Sequence, residues 1–271
     1  MPANLTNKHS LGPAVFWALW ASGLGLIVAM ALGYVPGGLP GIGAVFLGLC
    51  ITIAIGVMSQ RCGFFASPLN RVPGARGRLS LTFDDGPDPK FTPLLLDMLA
   101  AAGQRATFFV VGQRLARHPD LARRIVQEGH ELACHSMEHR WHMALWPPGR
   151  VADDLEHCAA LMREHADVAP TLFRPPVAVL SPRIAAGAQL AGLTLVGYSV
   201  RSGDGSPAVP ARIVLRRLQA GLEDGAVLLM HDGAVAGRAP ASVEVLPRLL
   251  KDMTAAGLES VPLGELAASA R

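Results

Sequence analysis

The sequence has few charged side chains for its size. Only 17% of its 271 residues are Asp, Glu, Lys or Arg, whereas 51% are hydrophobic and the mean hydropathy is +0.34. Soluble domains carry about 25% charged residues. The composition therefore excludes a chain that lies wholly in water, and it predicts that one part lies in lipid. The length allows one large domain with its own core plus an appendage.

The features of a nucleic-acid-binding protein are also missing. The formal net charge is only +3, aromatic residues make up 6% of the chain, and there is no Lys/Arg-rich block. Such proteins use basic patches to bind phosphates and aromatic side chains to stack on bases. We therefore expect no nucleic-acid partner.

Cysteine is scarce and irregularly spaced. The four cysteines are Cys50, Cys62, Cys134 and Cys158, and they form no C-x-x-C pair. This spacing argues against a zinc knuckle and against a disulfide framework. Free thiols fit a reducing compartment.

Long uncharged runs are present at the amino terminus. Residues 11–32 and 41–59 contain no charged side chain, and a helix with a rise of about 1.5 Å per residue would span roughly 30 Å of hydrocarbon over each run. The Gly/Pro-rich residues 33–40 would turn the chain tightly between them. The pattern predicts a transmembrane helical hairpin within residues 1–60.

A cleaved signal peptide is the alternative for the first run. Lys8 precedes the apolar stretch, and Ala29, Met30 and Ala31 resemble a small-residue cleavage site. The first run is longer than an ordinary signal sequence, and a second apolar run follows it. Both points favour the hairpin.

Basic residues flank this hairpin. Lys8 precedes it, the link carries no charge, and four arginines follow it before the first acid: Arg61, Arg71, Arg76 and Arg78. Because Lys and Arg accumulate on the cytoplasmic side of membrane helices, both ends of the hairpin should face the cytoplasm. Residues 61–78 would then form a basic juxtamembrane linker.

After residue 78, short apolar runs alternate with longer amphipathic stretches. The predicted strands are 79–83, 106–112, 131–136, 171–175, 194–200, 226–230 and 258–261. The predicted helices are 91–102, 119–128, 150–165, 182–191, 210–222 and 241–256. This alternation predicts an α/β domain over residues 79–271 with a mostly parallel sheet, either open or closed into a barrel.

Polar residues follow the ends of several predicted strands. Asp84 and Asp85 come at the end of the first strand, and His135 and His139 come after the third. Two imidazoles and a carboxylate are a suitable ligand set for a divalent metal. A turn rich in Asp and a surface helix are the alternatives for these two segments. The carboxyl ends of parallel strands are where such folds place their sites.

Two more charged groups occupy equivalent positions. His231 follows the apolar run 227–230, and Arg174 is followed by two prolines that stiffen the chain. A core histidine and a structural ion pair are the non-functional alternatives.

Taken together, these segments resemble the polysaccharide deacetylases of the NodB type, carbohydrate esterase family four. The resemblance covers Leu79 to about Leu263 and implies a distorted (β/α)7-type barrel. It also implies a metal-dependent hydrolase that removes an N-acetyl group from an amino sugar.

The resemblance assigns roles to individual residues. It implies Asp84 as general base, His231 as general acid and Arg174 as the residue that orients the base. The implied metal ligands are Asp85, His135 and His139, with Zn²⁺ as the first choice and Co²⁺, Ni²⁺ or Mn²⁺ as alternatives. The resemblance implies that Leu229, Pro176, Val177 and Asp204 bind the substrate. It also implies that the residues at positions 232 and 201, here Asp232 and Arg201, tune the pKa of His231.

The chain departs from the family pattern in two places. Val177 and Ala178 stand where the pattern has an aromatic residue and Gly, and its D-x-x-D-W segment reads R-S-G-D-G over residues 201–205. Arg201 replaces an acid that the pattern assigns to tuning His231. Its charge should lower the pKa of His231 unless Asp204 or Asp232 compensates.

These features lead to one main hypothesis and two alternatives. The main hypothesis is an N-deacetylase that acts on a small or lipid-linked glycan, as a multi-pass protein of the bacterial inner membrane with its catalytic domain in the cytoplasm. A deformylase of a lipid-linked amino sugar is the first alternative. The second is a membrane-anchored carbohydrate-binding protein without catalysis, which would need neither Asp84 nor His231. The sequence makes no prediction of oligomeric state.

Overall fold

The computed structural model describes residues 12–58, 65–233 and 237–270. Its first two helices, α1 (Gly12–Ala31) and α2 (Gly38–Met58), form where the hairpin is predicted. They pack against each other, and Trp20 Nε1 donates a hydrogen bond to Thr52 Oγ1 at 3.1 Å. By length and composition each helix could cross a membrane, and α1, near the amino terminus, also fits a signal sequence.

The remaining described chain alternates strands with helices. The strands are β1 (Arg78–Gly86), β2 (Ala106–Val110), β3 (Glu131–Cys134), β4 (Leu172–Phe173), β5 (Thr194–Leu195), β6 (Val200–Arg201), β7 (Val227–His231) and β8 (Glu259–Ser260). The helices are α3 (Thr92–Ala101), α4 (Gly112–Arg117), α5 (Pro119–Gln127), α6 (Pro148–Ala166), α7 (Pro182–Leu190), α8 (Ala211–Gln219), α9 (Ala241–Ala255) and α10 (Leu263–Ser269). Two 3₁₀ turns, Trp141–Leu145 and Pro176–Ala178, follow β3 and β4.

The strands form one parallel sheet in which β1 is an interior strand, paired with β2, β7 and β8. The strand order is β5-β4-β3-β2-β1-β7-β6, and β8 pairs with the beginning of β1. In register, Asp84 of β1 lies opposite Phe109 of β2 and His231 of β7. The path begins at β5 and ends at β6, so the sheet is a curled barrel that does not close. This confirms the distorted barrel and places the strand-end residues along one edge.

Both faces of the sheet are buried. Phe108 belongs to the cluster beneath the helices, together with Leu99 of α3. The next residue, Phe109, points to the opposite face and packs in a second cluster with Leu266 of α10 and Leu69. Because successive residues of a strand point to opposite faces, a strand buried on both sides has a continuous apolar sequence.

The second cluster also contains part of the predicted linker. Leu69, Val72 and Ala75 are buried, with 6%, 3% and 0% of their surface exposed. Arg71 forms an ion pair with Glu223. We therefore draw the boundary of the catalytic domain before Leu69 and not at residue 79. Lys8 and Arg61, on which the orientation argument also depends, lie outside the described residues.

One predicted strand is interrupted. Residues 194–200 form β5 and β6 with a gap between them, because the backbone of Gly197 bonds elsewhere. Its carbonyl accepts a hydrogen bond from Arg174 Nη2 at 2.7 Å, and its N–H donates to Leu69 O at 3.0 Å. The sheet consequently has eight strands where seven are predicted.

Candidate active site

Asp84 and Asp85 point in different directions at the end of β1. Asp84 is in register with both neighbouring strands and is 3% exposed. A register shift follows it, and Asp85 has a left-handed φ of 75°. The irregularity separates the two carboxylates, so that each can have its own function.

Asp85 lies against two histidines. Its Oδ1 is 3.0 Å from His139 Nε2 and 3.3 Å from His135 Nε2. One ligand atom from each of the three residues lies within 4.8 Å of the others. Asp85 Oδ1 is buried and has no hydrogen-bond partner in the described chain. A buried carboxylate oxygen beside two imidazoles fits a divalent cation.

The protonation of His135 supports this fit. Its Nδ1 lies 2.7 Å from the carbonyl oxygen of Arg174, and a carbonyl can only accept a hydrogen bond. Nδ1 therefore carries a proton, and in the neutral ring Nε2 presents a lone pair toward Asp85. This is the usual second-shell arrangement of a metal-binding histidine.

His139 reaches the same point from an irregular loop after β3. Ser136 and His139 have left-handed φ values of 68° and 54°, and the His139 N–H donates to Ser136 Oγ at 3.0 Å. The H-x-x-x-H segment is thus a turn and not a surface helix.

Arg174 donates a hydrogen bond to the Asp84 carboxyl group from inside the protein core. It is fully buried, and its Nη1 donates to Asp84 Oδ1 at 2.7 Å and to Thr82 Oγ1 at 2.8 Å. Its guanidinium lies 4.1 Å from the centre of the Phe109 ring. These contacts hold the Asp84 carboxyl group in one orientation. Removing one partner of such a buried pair costs about 3–5 kcal/mol.

His231 is paired with Asp204. Its Nδ1 lies 2.8 Å from Asp204 Oδ1, and its backbone N–H donates to Asp204 Oδ2 at 2.8 Å. Burial alone would lower the pKa of His231. The hydrogen bond and charge of Asp204, with the charges of Asp84 and Asp85, instead raise that pKa to about 9. His231 is therefore protonated at neutral pH, and its Nε2 remains available to deliver a proton.

A cleft of about 230 Å³ brings these groups together. The three metal-ligand candidates and His231 line it, together with Leu229, Val177 and Arg201. Pro176 is buried and lies outside this lining.

The sequence and the fold of this chain are similar to those of known proteins. Residues 71–196 match the family pattern of polysaccharide deacetylases. A chitooligosaccharide deacetylase of Bradyrhizobium sp. (strain ANU 289) is 35% identical over 205 residues, covering 72% of this chain and 92% of that protein. The chain belongs to the polysaccharide deacetylase family.

Two other relatives support this membership. The peptidoglycan-N-acetylglucosamine deacetylase PgdA of Listeria monocytogenes is 32% identical over 189 residues, covering 70% of this deacetylase and 38% of PgdA. A family 4 acetyl xylan esterase of Clostridium thermocellum, solved in complex with a cobalt ion, superposes with a TM-score of 0.65 and 31% identity over 71% of this chain and 91% of its own. The family resemblance, the fold and the hydrolase class are thereby confirmed.

The family resemblance assigns Asp204 to substrate binding, but in the structure it lies against His231. Its carboxylate is buried behind His231 and is bonded to His231 and to Ser202 Oγ, so it supports the acid and does not face the cleft. The carboxylate that pairs with His231 is thus that of Asp204. The family pattern expects this carboxylate at position 201, where this chain has Arg201. The lowering of the His231 pKa expected from Arg201 does not occur, because Asp204 compensates.

Asp232 faces away from His231 in this deacetylase. Its Oδ2 accepts a hydrogen bond from Thr92 Oγ1 at 2.6 Å. Burial, opposed by that bond and reinforced by the charges of Asp85 and Asp84, raises the pKa of Asp232 to about 7. Among the described residues, no hydrogen bond or ion pair joins the Asp232 carboxyl group to His231, whereas the Asp204 carboxyl group contacts His231 directly.

The two departures from the family pattern shape the cleft wall. Val177 and Ala178 both have left-handed φ values, 50° and 58°. Such values are uncommon for any residue other than glycine, and they are rarest for a β-branched residue such as Val177. On the opposite side, a Cβ on Gly205 would lie 2.8 Å from His231 Cε1. A side chain at 205 would therefore require the His231 ring to move, and neither Val177 nor Gly205 offers an aromatic surface.

Proposed function

We propose that the protein is a metal-dependent N-deacetylase that hydrolyses the N-acetyl group of an amino sugar to acetate and a free amine. The observation that carries the proposal is the convergence of a buried carboxylate base, a metal-ligand triad and a protonated histidine at one end of β1. Relatives named chitooligosaccharide deacetylase and peptidoglycan-N-acetylglucosamine deacetylase support the amino-sugar substrate.

Asp85, His135 and His139 would hold the cation, for which Zn²⁺ is the first choice and Co²⁺, Ni²⁺ or Mn²⁺ are alternatives. When bound, such an ion supplies Lewis acidity toward water and toward the amide oxygen. The cobalt in the C. thermocellum esterase shows that the family fold accepts a divalent metal.

Asp84 is the proposed base. Arg174 occupies its Oδ1, while Oδ2 lies 3.9 Å from His135 Nε2, on the side of the ligand triad. Oδ2 can therefore accept the proton of the attacking water, and the bond to Arg174 keeps it oriented. A positioned base of this kind contributes about 10²–10⁴-fold in rate.

His231 is the proposed acid. The imidazolium gives its Nε2 proton to the nitrogen of the departing amine, so that the C–N bond breaks to a neutral product. Asp204 offsets the positive charge of the ring before this transfer. Leu229, in the wall of the cleft, would contact the acetyl methyl group, and the Val177 N–H would donate to the oxyanion.

The cleft favours a compact substrate over a long strand. Neither Val177 nor Gly205 offers a surface on which the sugar rings of a long strand could stack, and the cleft has a volume of only about 230 Å³. We propose a short or lipid-linked amino-sugar glycan as substrate. We also propose that α1 and α2 anchor the enzyme in the inner membrane, with both chain ends and the catalytic domain in the cytoplasm.

An acetate-release assay tests the activity. The full-length protein in detergent, loaded separately with Zn²⁺ or Co²⁺, is given chitotetraose, a peptidoglycan disaccharide and a polyprenyl-diphosphate N-acetylglucosamine. Metal-dependent acetate release from at least one of them is expected. An N-formyl analogue offered in competition separates deacetylation from deformylation, and metal binding without any turnover would favour the carbohydrate-binding alternative.

A further inference from the structure

Arg201 is the charged residue of the cleft that the proposed mechanism leaves without a role. It lies in β6, in register with Leu229 of β7, and its side chain is exposed and lines the cleft. The other charged groups there belong to the metal-ligand triad or to the acid.

Arg201 also has no counterion among the residues that the structure describes. Asp84 is paired with Arg174, and Asp204 is paired with His231. All 21 acidic side chains of the protein lie within the described ranges 12–58, 65–233 and 237–270, and none of them comes within 4.0 Å of the Arg201 guanidinium. No hydrogen-bond acceptor for its guanidinium is found in those ranges either. Its N–H donors are thus available to a ligand.

The cleft has little else with which to hold a sugar ring. Val177 and Gly205 replace the two aromatic residues of the family pattern, so stacking on an aromatic face is lost. A guanidinium presents N–H donors in a rigid fork that matches the oxygens of a carboxylate or phosphate, and such charge-assisted pairs are about twice as strong as neutral hydrogen bonds. An ion pair can replace the missing stacking.

We propose that Arg201 binds an anionic substituent of the substrate, so that the enzyme selects amino sugars that carry a carboxylate or a phosphate close to the acylated nitrogen. The inference rests on the proposed deacetylase function and specifies its substrate class. A carboxylate would come from an acidic sugar, and a phosphate would come from a glycosyl phosphate or a lipid diphosphate carrier.

The test compares pairs of substrates in which one member carries the anionic group and the other carries a neutral group in its place. One pair is N-acetylglucosaminyl-N-acetylmuramic acid and its methyl ester; the other is N-acetylglucosamine 1-phosphate and methyl N-acetylglucosaminide. The readout is the ratio of kcat/KM for the charged member to that for the neutral member. We expect a ratio of about 10 to 100 in one pair, because hydrogen bonds to charged groups contribute about 1.5–3 kcal/mol. The pair that shows it identifies the source of the anion.

Variants of Arg201 should lower this ratio by an amount that depends on the charge of the side chain at position 201. R201A should bring it to about one, R201K should retain part of the preference, and R201E should move it below one, because a carboxylate repels the anion. R212A, which removes an exposed arginine of α8 from outside the cleft, should leave the wild-type ratio. If R201A lowers both members of each pair equally, Arg201 acts on the acid or on folding and the proposal is wrong.

A binding experiment separates this inference from the proposed activity. The D84N enzyme and the D84N/R201A double variant are each titrated calorimetrically with both members of each pair. Preferential binding of a charged member that R201A abolishes supports the proposal even if no acetate is released. Equal affinities, or no binding of any member, would overturn it.

Discussion

At the scale of single residues, the partnership of Asp204 and His231 determines when the proposed acid is protonated. His231 has a pKa of about 9, held there by Asp204 against the effect of burial. An acid works only while protonated, so its contribution is present at neutral pH and is lost as pH rises through the pKa.

The D204N variant tests this pairing. An amide removes the negative charge, so the pKa of His231 falls, and the alkaline limb of the kcat/KM profile should move to lower pH by about one unit or more. The acidic limb, which reports the base and the ligands, should move much less. An unchanged alkaline limb in D204N would contradict the assignment of His231 as acid.

The ligand triad gives a second prediction. H139A should lower metal affinity by more than about 100-fold, since even the loss of an outer hydrogen-bond partner of a ligand costs 10–100-fold. Metal per chain after dialysis, measured by mass spectrometry, is the readout. H157A removes an exposed histidine of α6 and serves as control; equal metal content in both variants would exclude His139 as a ligand.

The sequence predicts most of these residues because their positions follow from strand ends. Asp84, His135, Arg174 and His231 each come after an apolar run, and a parallel sheet brings such ends together. Asp204 also follows a predicted strand, but it belongs to an irregular loop between β6 and α8, and the sequence leaves open whether Asp204 or Asp232 pairs with His231. Only its hydrogen bonds reveal that its carboxylate faces His231.

At the scale of elements, residues 69–75 are the unexpected part of the fold. They read as a basic linker, because arginines and glycines surround three isolated apolar residues. Yet Leu69 and Val72 pack with α10 on the face of the sheet opposite α3. A few isolated apolar residues without helical or strand periodicity do not indicate burial. The seven-residue α10 is too short to show such a periodicity, and the sequence does not predict it for the same reason.

Substitution of Leu69 measures this packing. L69A should lower the free energy of unfolding by about 2–4 kcal/mol, through lost burial and a residual cavity. L190A, at a position that is 67% exposed in α7, should change it by less than about 0.5 kcal/mol. Chemical unfolding followed by circular dichroism measures both, and equal values would mean that the segment is not part of the core.

At the scale of the whole molecule, membrane topology decides which substrates the enzyme can meet. Two apolar helices with basic flanks predict that both chain ends lie in the cytoplasm. Reporter fusions at Arg271 should give a cytoplasmic signal, and the purified protein should begin at or near Met1. A periplasmic signal, or an amino terminus near Ala31, would favour a signal peptide and a cell-wall substrate.

The central claim is that the two adjacent aspartates divide the chemistry, with Asp85 as metal ligand and Asp84 as proton acceptor. The most direct test measures metal content and acetate release together in D84N and D85N. We predict that D84N keeps its metal and loses about 10²–10⁴-fold in kcat, whereas D85N loses both. A D84N enzyme that releases acetate at the wild-type rate, or a D85N enzyme that keeps its metal, would contradict the account.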